Sequence, residues 1–261
     1  MFKHHEETIS NITKKLRKRD DILAVIVCGS IAHGFETELS DVDIMIVISD
    51  ENYKKRKESG DIHYYEKESC TYESGYIDGK YISMDFINQV IEKGSEPARF
   101  AFEGAFITYS QVYNLDKKLK QIIKYPIKKK KENICRFYAQ FEAWKWYSEE
   151  AIKHKNVYLL NHSISKFILF AGRLILSYNE VLYPYHKWFI KVLDRVEKKP
   201  IKMIDKINLL LKEPTHDNIS SLYQAVNEFY DWEKMNQDWP SVFMQDSELN
   251  WLVGKVSIDD I

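Results

Sequence analysis

Two periods of apolar spacing run along this chain, and the change from one to the other divides it. Between His5 and Arg19, Ile9, Ile12 and Leu16 recur at helical spacing against Lys14, Lys15, Arg17, Lys18 and Arg19. This predicts an amphipathic first helix with a solvated basic face. From Ile22 to Ile48 the chain reads as a continuous apolar run, a break at Gly29-Ser30, a short polar segment, and a second apolar run. The order predicted is strand, turn, short helix, strand. A polar capped turn with a short helix follows over Ser49–Lys57, then β-rich stretches at Ile62–Tyr65 and Thr71–Ser83. Ser83 to Gly94 reads as a helix with Ser83 as its N-cap and Gly94 as its stop. Another helix is expected through Ala98–Phe102, and a late strand over Ala105–Ser110.

Beyond that point the pattern turns helical. Phe137, Phe141, Trp144 and Tyr147 form an aromatic stripe at three- and four-residue spacings, and Phe167–Leu176 gives a second apolar helix. A break follows at Tyr178–Trp188, where Asn179 and Pro184 interrupt a run rich in tyrosine. The fold class expected is α+β, a mixed sheet flanked by helices followed by an α-helical domain. The expected boundaries are 1–116 for the sheet domain, 117–131 for a basic linker and helix start, and 132–261 for the helical domain. The linker holds eight lysines with Pro126 among them, and without aromatic interleaving it reads as a solvated linker helix.

Composition adds limits rather than direction. At 261 residues, 44% hydrophobic and 14% aromatic, the chain has ample material for a core. A net charge of -1 offers no global attraction to nucleic acid or an anionic membrane, so neither is expected as a partner. No apolar run stands out as long enough to span a bilayer, and the opening residues lack a signal peptide's pattern, so a cytoplasmic location is expected. Cys28, Cys70 and Cys135 form no Cys-x-x-Cys pair, and the eight histidines show no zinc-like spacing with them.

The chemistry concentrates in the paired apolar runs. Strand alternation puts Asp41 and Asp43 on one face and Val42, Ile44, Ile46 and Ile48 on the other. Two adjacent carboxylates repel, and a hard divalent cation between them removes the difficulty. A solvated strand start is the plain alternative. Gly29-Ser30, at the end of the preceding strand, shifts the balance, because glycine lets backbone approach a ligand and the following amides can point at a phosphate. Gly29-Ser30, ten intervening residues and Asp41-Val42-Asp43, all within apolar strands, resemble the signature of the polymerase-beta-type nucleotidyltransferase superfamily. The length and layout resemble the bacterial aminoglycoside and lincosamide nucleotidyltransferases within it.

That resemblance implies a catalytic domain over 1–116 and a substrate-binding role for the helical domain. It implies two Mg²⁺ ions at Asp41 and Asp43, a triphosphate held by Gly29 and Ser30, and transfer of AMP from ATP to a hydroxyl of a small molecule, an aminoglycoside or lincosamide antibiotic among the candidates. It also implies a third carboxylate from a neighbouring strand. Asp78 is preferred, with an Asp-Gly hairpin turn as its rival reading, and Asp85 is the alternative, although the first turn of a helix favours an acid without any catalytic reason. Glu142 beside the aromatic stripe is the candidate proton acceptor. Lys187, in a His-Lys-Trp segment familiar from such enzymes, is the candidate triphosphate cation, against a plain reading as an exposed loop lysine. From Glu213 onward ten acids accompany two lysines and seven aromatics, either an acceptor surface or a terminal helix with inward rings, the second favoured by the spacing of Leu222, Val226 and Phe229. Other readings are a protein-modifying nucleotidyltransferase that places AMP on a partner, and a non-catalytic nucleotide sensor. A homodimer stays open, and so does the choice of triphosphate.

Overall fold

The computed structural model describes residues 1–232 and 238–254. The chain divides into two compact units, Met1–Lys124 and Tyr125–Ile261.

The first unit is built on a five-stranded mixed sheet. Its strands are β1 (Ile22–Cys28), β2 (Val42–Ile48), β3 (His63–Glu66), β4 (Ile77–Ser83) and β5 (Phe106–Ser110), in the order β3-β4-β2-β1-β5. β2 runs antiparallel to β1 and parallel to β4. Both faces of the central strands are covered, which is why their sequences read as nearly unbroken apolar runs. On one face Val42, Ile44, Ile46 and Ile48 pack with Val25, Val27 and the Ile9, Ile12 and Leu16 stripe of α1 (Lys3–Leu16). On the other, Met45, Val47 and Ile82 pack with Ile87 and Val90 of the later helix Met84–Lys93 and with Leu115, Leu119 and Ile122.

The connections follow their local chemistry. A single turn, α2 (Gly29–Ala32), leaves β1 directly. α3 (Asp50–Ser59) starts at Ser49, whose hydroxyl accepts from Asn52 N–H, and ends at Gly60 in a left-handed conformation. α4 (Met84–Lys93) starts at Ser83, whose hydroxyl accepts from Phe86 N–H. α5 (Glu96–Phe100) follows, and α6 (Leu115–Ile122) closes the unit. Arg99 is buried and donates to the carbonyls of Ile91, Gly94 and Ile122, so one guanidinium satisfies the C-terminal carbonyls of α4 and α6 together.

Asp78 and Gly79 lie inside β4, paired with Asp43 and Ile44, so the Asp-Gly hairpin reading does not hold. The lysine-rich stretch is not one helix either. α6 ends at Ile122, a 3₁₀ turn covers Ile127–Lys129, and α7 begins only at Lys130, because Pro126 and the residue before it resist helical continuation.

The second unit is mostly helical, with α7 (Lys130–Lys153), α8 (Val157–Tyr178), α9 (Phe189–Arg195), α10 (Met203–Lys212), α11 (His216–Asn227) and α12 (Trp239–Phe243). Phe141 of α7 stacks on Phe167 of α8 at 4.8 Å and on Tyr223 of α11 at 5.4 Å, so three helices share one aromatic column. α8 corrects the expectation that no apolar run reaches membrane length: by length and composition alone it does. Half of the qualifying stretch is buried within the unit, including Phe167, Ala171 and Leu174, as in a core helix. Of the aromatics toward the C-terminus, Trp232 and Phe243 point inward while Trp251 is exposed. Glu233, Lys234, Lys255, Asp259 and Asp260, counted in that acidic stretch, lie outside the described residues.

Candidate active site

The acidic residues meet where the ends of β1, β2 and β4 lie side by side. Cys28, the last residue of β1, pairs with Asp43 on β2, and Asp43 pairs in turn with Asp78 on the parallel strand β4. In-register residues of paired strands put their side chains on the same face, so Asp43 and Asp78 stand together. Asp41 lies two residues earlier on that face, one position before β2 begins. The three carboxylates can offer oxygens that all lie within 4.8 Å of one another, and all three residues are half-buried.

Charges at that spacing repel. At an effective dielectric near 20, two of them about 5 Å apart interact unfavourably by roughly 3 kcal/mol. Neighbouring donors offset part of this. His63 Nε2 of β3 lies 2.7 Å from Asp78 Oδ1. Tyr76 hydrogen-bonds Asp41, and the Asp41 charge raises the phenol's pKa above its ordinary value, so the hydroxyl keeps its proton and donates. Cys28 sits behind the carboxylates, where burial first and Asp43 second push its thiol up to about 12. It is a packed thiol and not a nucleophile.

Gly29 occupies the turn out of β1 with φ +66, and a Cβ there would overlap Oδ2 of Asp43. Only glycine lets the backbone pass this carboxylate in that conformation. Ser30 follows in α2. It is 5% exposed, and its Oγ has no hydrogen-bond partner. α2 has four residues and no side-chain cap, so what it offers is opening amides and one unpartnered hydroxyl, not a helix dipole of any weight.

Three carboxylates supply the hard oxygen donors that Mg²⁺ takes, and the orphaned Ser30 hydroxyl is a polar atom awaiting a polar ligand. The residues present therefore fit a divalent cation beside a phosphate.

Asp85, the alternative third acid, sits in the first turn of α4, where its amide donates to Asp50 and its carboxylate accepts from Gln89. Glu142 and Lys187 belong to the second unit. Glu142 accepts from Tyr223 Oη at 2.8 Å, while Tyr138 Oη beside it donates to Asn227 Oδ1 at 2.9 Å. Lys187 lies in a 3₁₀ turn with its Nζ 5.0 Å from the Trp188 ring.

His63 and Tyr76 did not emerge from the sequence. The one available signal was the β-rich composition of His63-Tyr64-Tyr65-Glu66, which marks a strand without saying that it pairs with β4 beside the acids.

A sheet carrying such an acidic cluster next to a glycine turn is suited to holding a divalent cation beside a phosphate-linked group. Residues 10–96 match the family model described as Polymerase beta, Nucleotidyltransferase. The N-terminal unit therefore carries a stretch that matches a polymerase-beta-type nucleotidyltransferase domain. No curated protein matches the chain. Solved structures similar to it include a nucleotidyltransferase-like protein from Exiguobacterium sibiricum, 8% identical over 98% of this chain and 83% of that one, with a TM-score of 0.47. Another is spectinomycin adenyltransferase AAD(9) from Enterococcus faecialis, with ATP and spectinomycin, 15% identical over 86% of this chain and 98% of that one, with a TM-score of 0.35.

Proposed function

We propose that this enzyme transfers AMP from ATP to a hydroxyl of a small molecule, with an aminoglycoside or lincosamide antibiotic as the acceptor class to test first. The observation that carries the reading is the meeting of Asp41, Asp43 and Asp78 beside Gly29-Ser30.

In this reading the three carboxylates hold Mg²⁺, two ions in the form the family resemblance implies. The metal, when bound, supplies stabilisation of charge on the attacking and leaving oxygens. The remaining work falls to the chain. Gly29 leaves room for backbone to approach the triphosphate, and the Ser30 hydroxyl donates to its tail. His63 and Tyr76 hold Asp78 and Asp41 in orientation through the hydrogen bonds described above. Lys187 is proposed as a further cation for the triphosphate. The acceptor oxygen forms a bond to the α-phosphorus as the bond from that phosphorus to the bridging oxygen breaks, and pyrophosphate leaves with the electron pair. Glu142 is proposed as the group that takes the acceptor's proton.

The test is pyrophosphate release from ATP and Mg²⁺ against a panel of aminoglycosides and lincosamides, comparing wild type with Asp43→Ala. The expected result is acceptor-dependent release that the variant loses by at least about 100-fold, with its melting temperature unchanged or raised because a repelling charge is gone. Full activity in the variant would remove Asp43 from the mechanism.

A further inference from the structure

Asp43 and Asp78 are held by the sheet ladder, but Asp41 is not. It precedes the first residue of β2, so no strand pairing sets its backbone. On its C-terminal side the Val42 amide donates to the Tyr76 carbonyl at 3.1 Å. On its N-terminal side the carbonyl of Ser40, which shares a peptide plane with the Asp41 amide, accepts two hydrogen bonds from elsewhere in the chain. One comes from His5 Nε2 at 3.0 Å, the other from Tyr72 Oη at 2.6 Å. A planar peptide fixed at its carbonyl by two donors has little freedom to rotate about φ of the following residue.

The donors are themselves seated. His5 is fully buried, with its ring edge-on to Phe2, His4 and Tyr72. Tyr72 lies against Gly75, where a Cβ would come within 2.7 Å of the phenol ring. The segment carrying Tyr72 is docked on α1 by Asn11 Nδ2 to the Ser69 carbonyl at 3.2 Å and by the Thr71 amide to Thr8 Oγ1 at 3.3 Å. His4 adds a bond from its ring to the Glu38 carbonyl at 3.0 Å. The first turns of α1, the 69–72 segment and the 37–41 segment thus form one assembly ending on the peptide before Asp41. His4 and His5 lie outside the stretch 10–96 that matches the family, so the device is built partly from residues beyond that common domain.

We propose that His5 and Tyr72 are positioning residues that clamp the Ser40 carbonyl and so set Asp41 as a metal ligand. For Asp41's role the proposal rests on the metal-site reading above; for the clamp itself it stands on geometry alone. Outer partners of this kind orient ligands, and their loss weakens metal binding by about 10- to 100-fold.

The experiment uses the full-length chain with Tyr72→Phe, which removes only the hydroxyl, His5→Phe, which keeps ring bulk without a donor, and His5→Gln, which restores an N–H. Thr13→Val is the comparison, since it removes the bond of the same helix to Thr108 Oγ1 at 2.8 Å without touching Ser40 or the Tyr72 segment. Two quantities are read: amide hydrogen exchange over residues 37–42 in metal-free protein, and Mn²⁺ affinity by direct titration. The clamp predicts several-fold faster exchange over 37–42 in Tyr72→Phe and His5→Phe. It also predicts Mn²⁺ binding weakened by about tenfold or more, with partial recovery in His5→Gln and wild-type affinity in Thr13→Val. Unchanged exchange and affinity in both Phe variants would overturn it, and so would an equal loss of affinity in Thr13→Val, which would mark a general loosening. If wild type and Asp43→Asn both fail to bind Mn²⁺, the metal reading falls. The exchange arm then still decides whether Ser40 is clamped.

Discussion

Gly29 is the residue with the least room for substitution. Its positive φ already strains any side chain by about 1–2 kcal/mol, and its Cβ would occupy the place of the Asp43 carboxylate. Gly29→Ala is therefore expected to lower the melting temperature and, by pushing Asp43 aside, to reduce nucleotidyl transfer by about 100-fold or more. A steady-state assay with thermal melting of the same sample checks both, and near wild-type transfer would show that Asp43 is free to move without consequence. At this scale the sequence was informative where chemistry is local. Alternation along Asp41-Val42-Asp43 placed two acids on one face, and Gly29-Ser30 marked a close approach. Asp78 was harder, because Asp-Gly suits a turn as well as a strand. Its meeting with Asp43 depends on the register between β2 and β4, which no local pattern encodes. His5 and Tyr72 were out of reach altogether: their bonds to Ser40 span 35 and 32 positions.

Among the elements, α1 carries the clearest pH dependence. Burial holds the His5 pKa below its ordinary value of 6.5, with the neighbouring His4 acting in the same direction, against the Ser40 carbonyl and the Glu36 charge, which raise it. The amino terminus, paired with Glu36, also lowers it. The folded state thus binds a proton at His5 less readily than the unfolded state. Stability is fully present above the unfolded value and falls as pH drops through the window down to the lowered folded value. His33, also lowered chiefly by burial, adds to the loss with the same sign. The melting temperature of wild type is expected to fall between about pH 7.5 and about pH 5.5, and His5→Gln, which cannot titrate, is expected to fall less. Parallel curves for the two proteins would remove His5 as a source. The caps on α3 and α4 were readable from Ser49 and Ser83, since capping is a matter of a few adjacent residues. The split of the lysine-rich stretch into two helices was signalled by Pro126, yet the abundance of good helix formers around it favoured a single helix in the sequence reading.

For the whole molecule, the α+β layout followed from the change of apolar period, and the structure has the mixed sheet in the first unit and a mostly helical second unit. Of the second unit's aromatic stripe, Phe141 joins the column with Phe167 and Tyr223 while Phe137, Trp144 and Tyr147 are half-buried, and Glu142, next to Phe141, accepts from Tyr223 Oη. Which rings would meet a substrate was not readable, because an aromatic stripe looks the same whether it fills a core or lines a site. The central claim, that Asp41, Asp43 and Asp78 form a metal-dependent nucleotide site, is tested most directly by isothermal titration with a non-hydrolysable ATP analogue, with and without Mg²⁺, on wild type and Asp41→Asn. The account predicts binding that requires Mg²⁺ and is weakened by about tenfold or more in the variant. Equal binding with and without Mg²⁺, unchanged in Asp41→Asn, would contradict it.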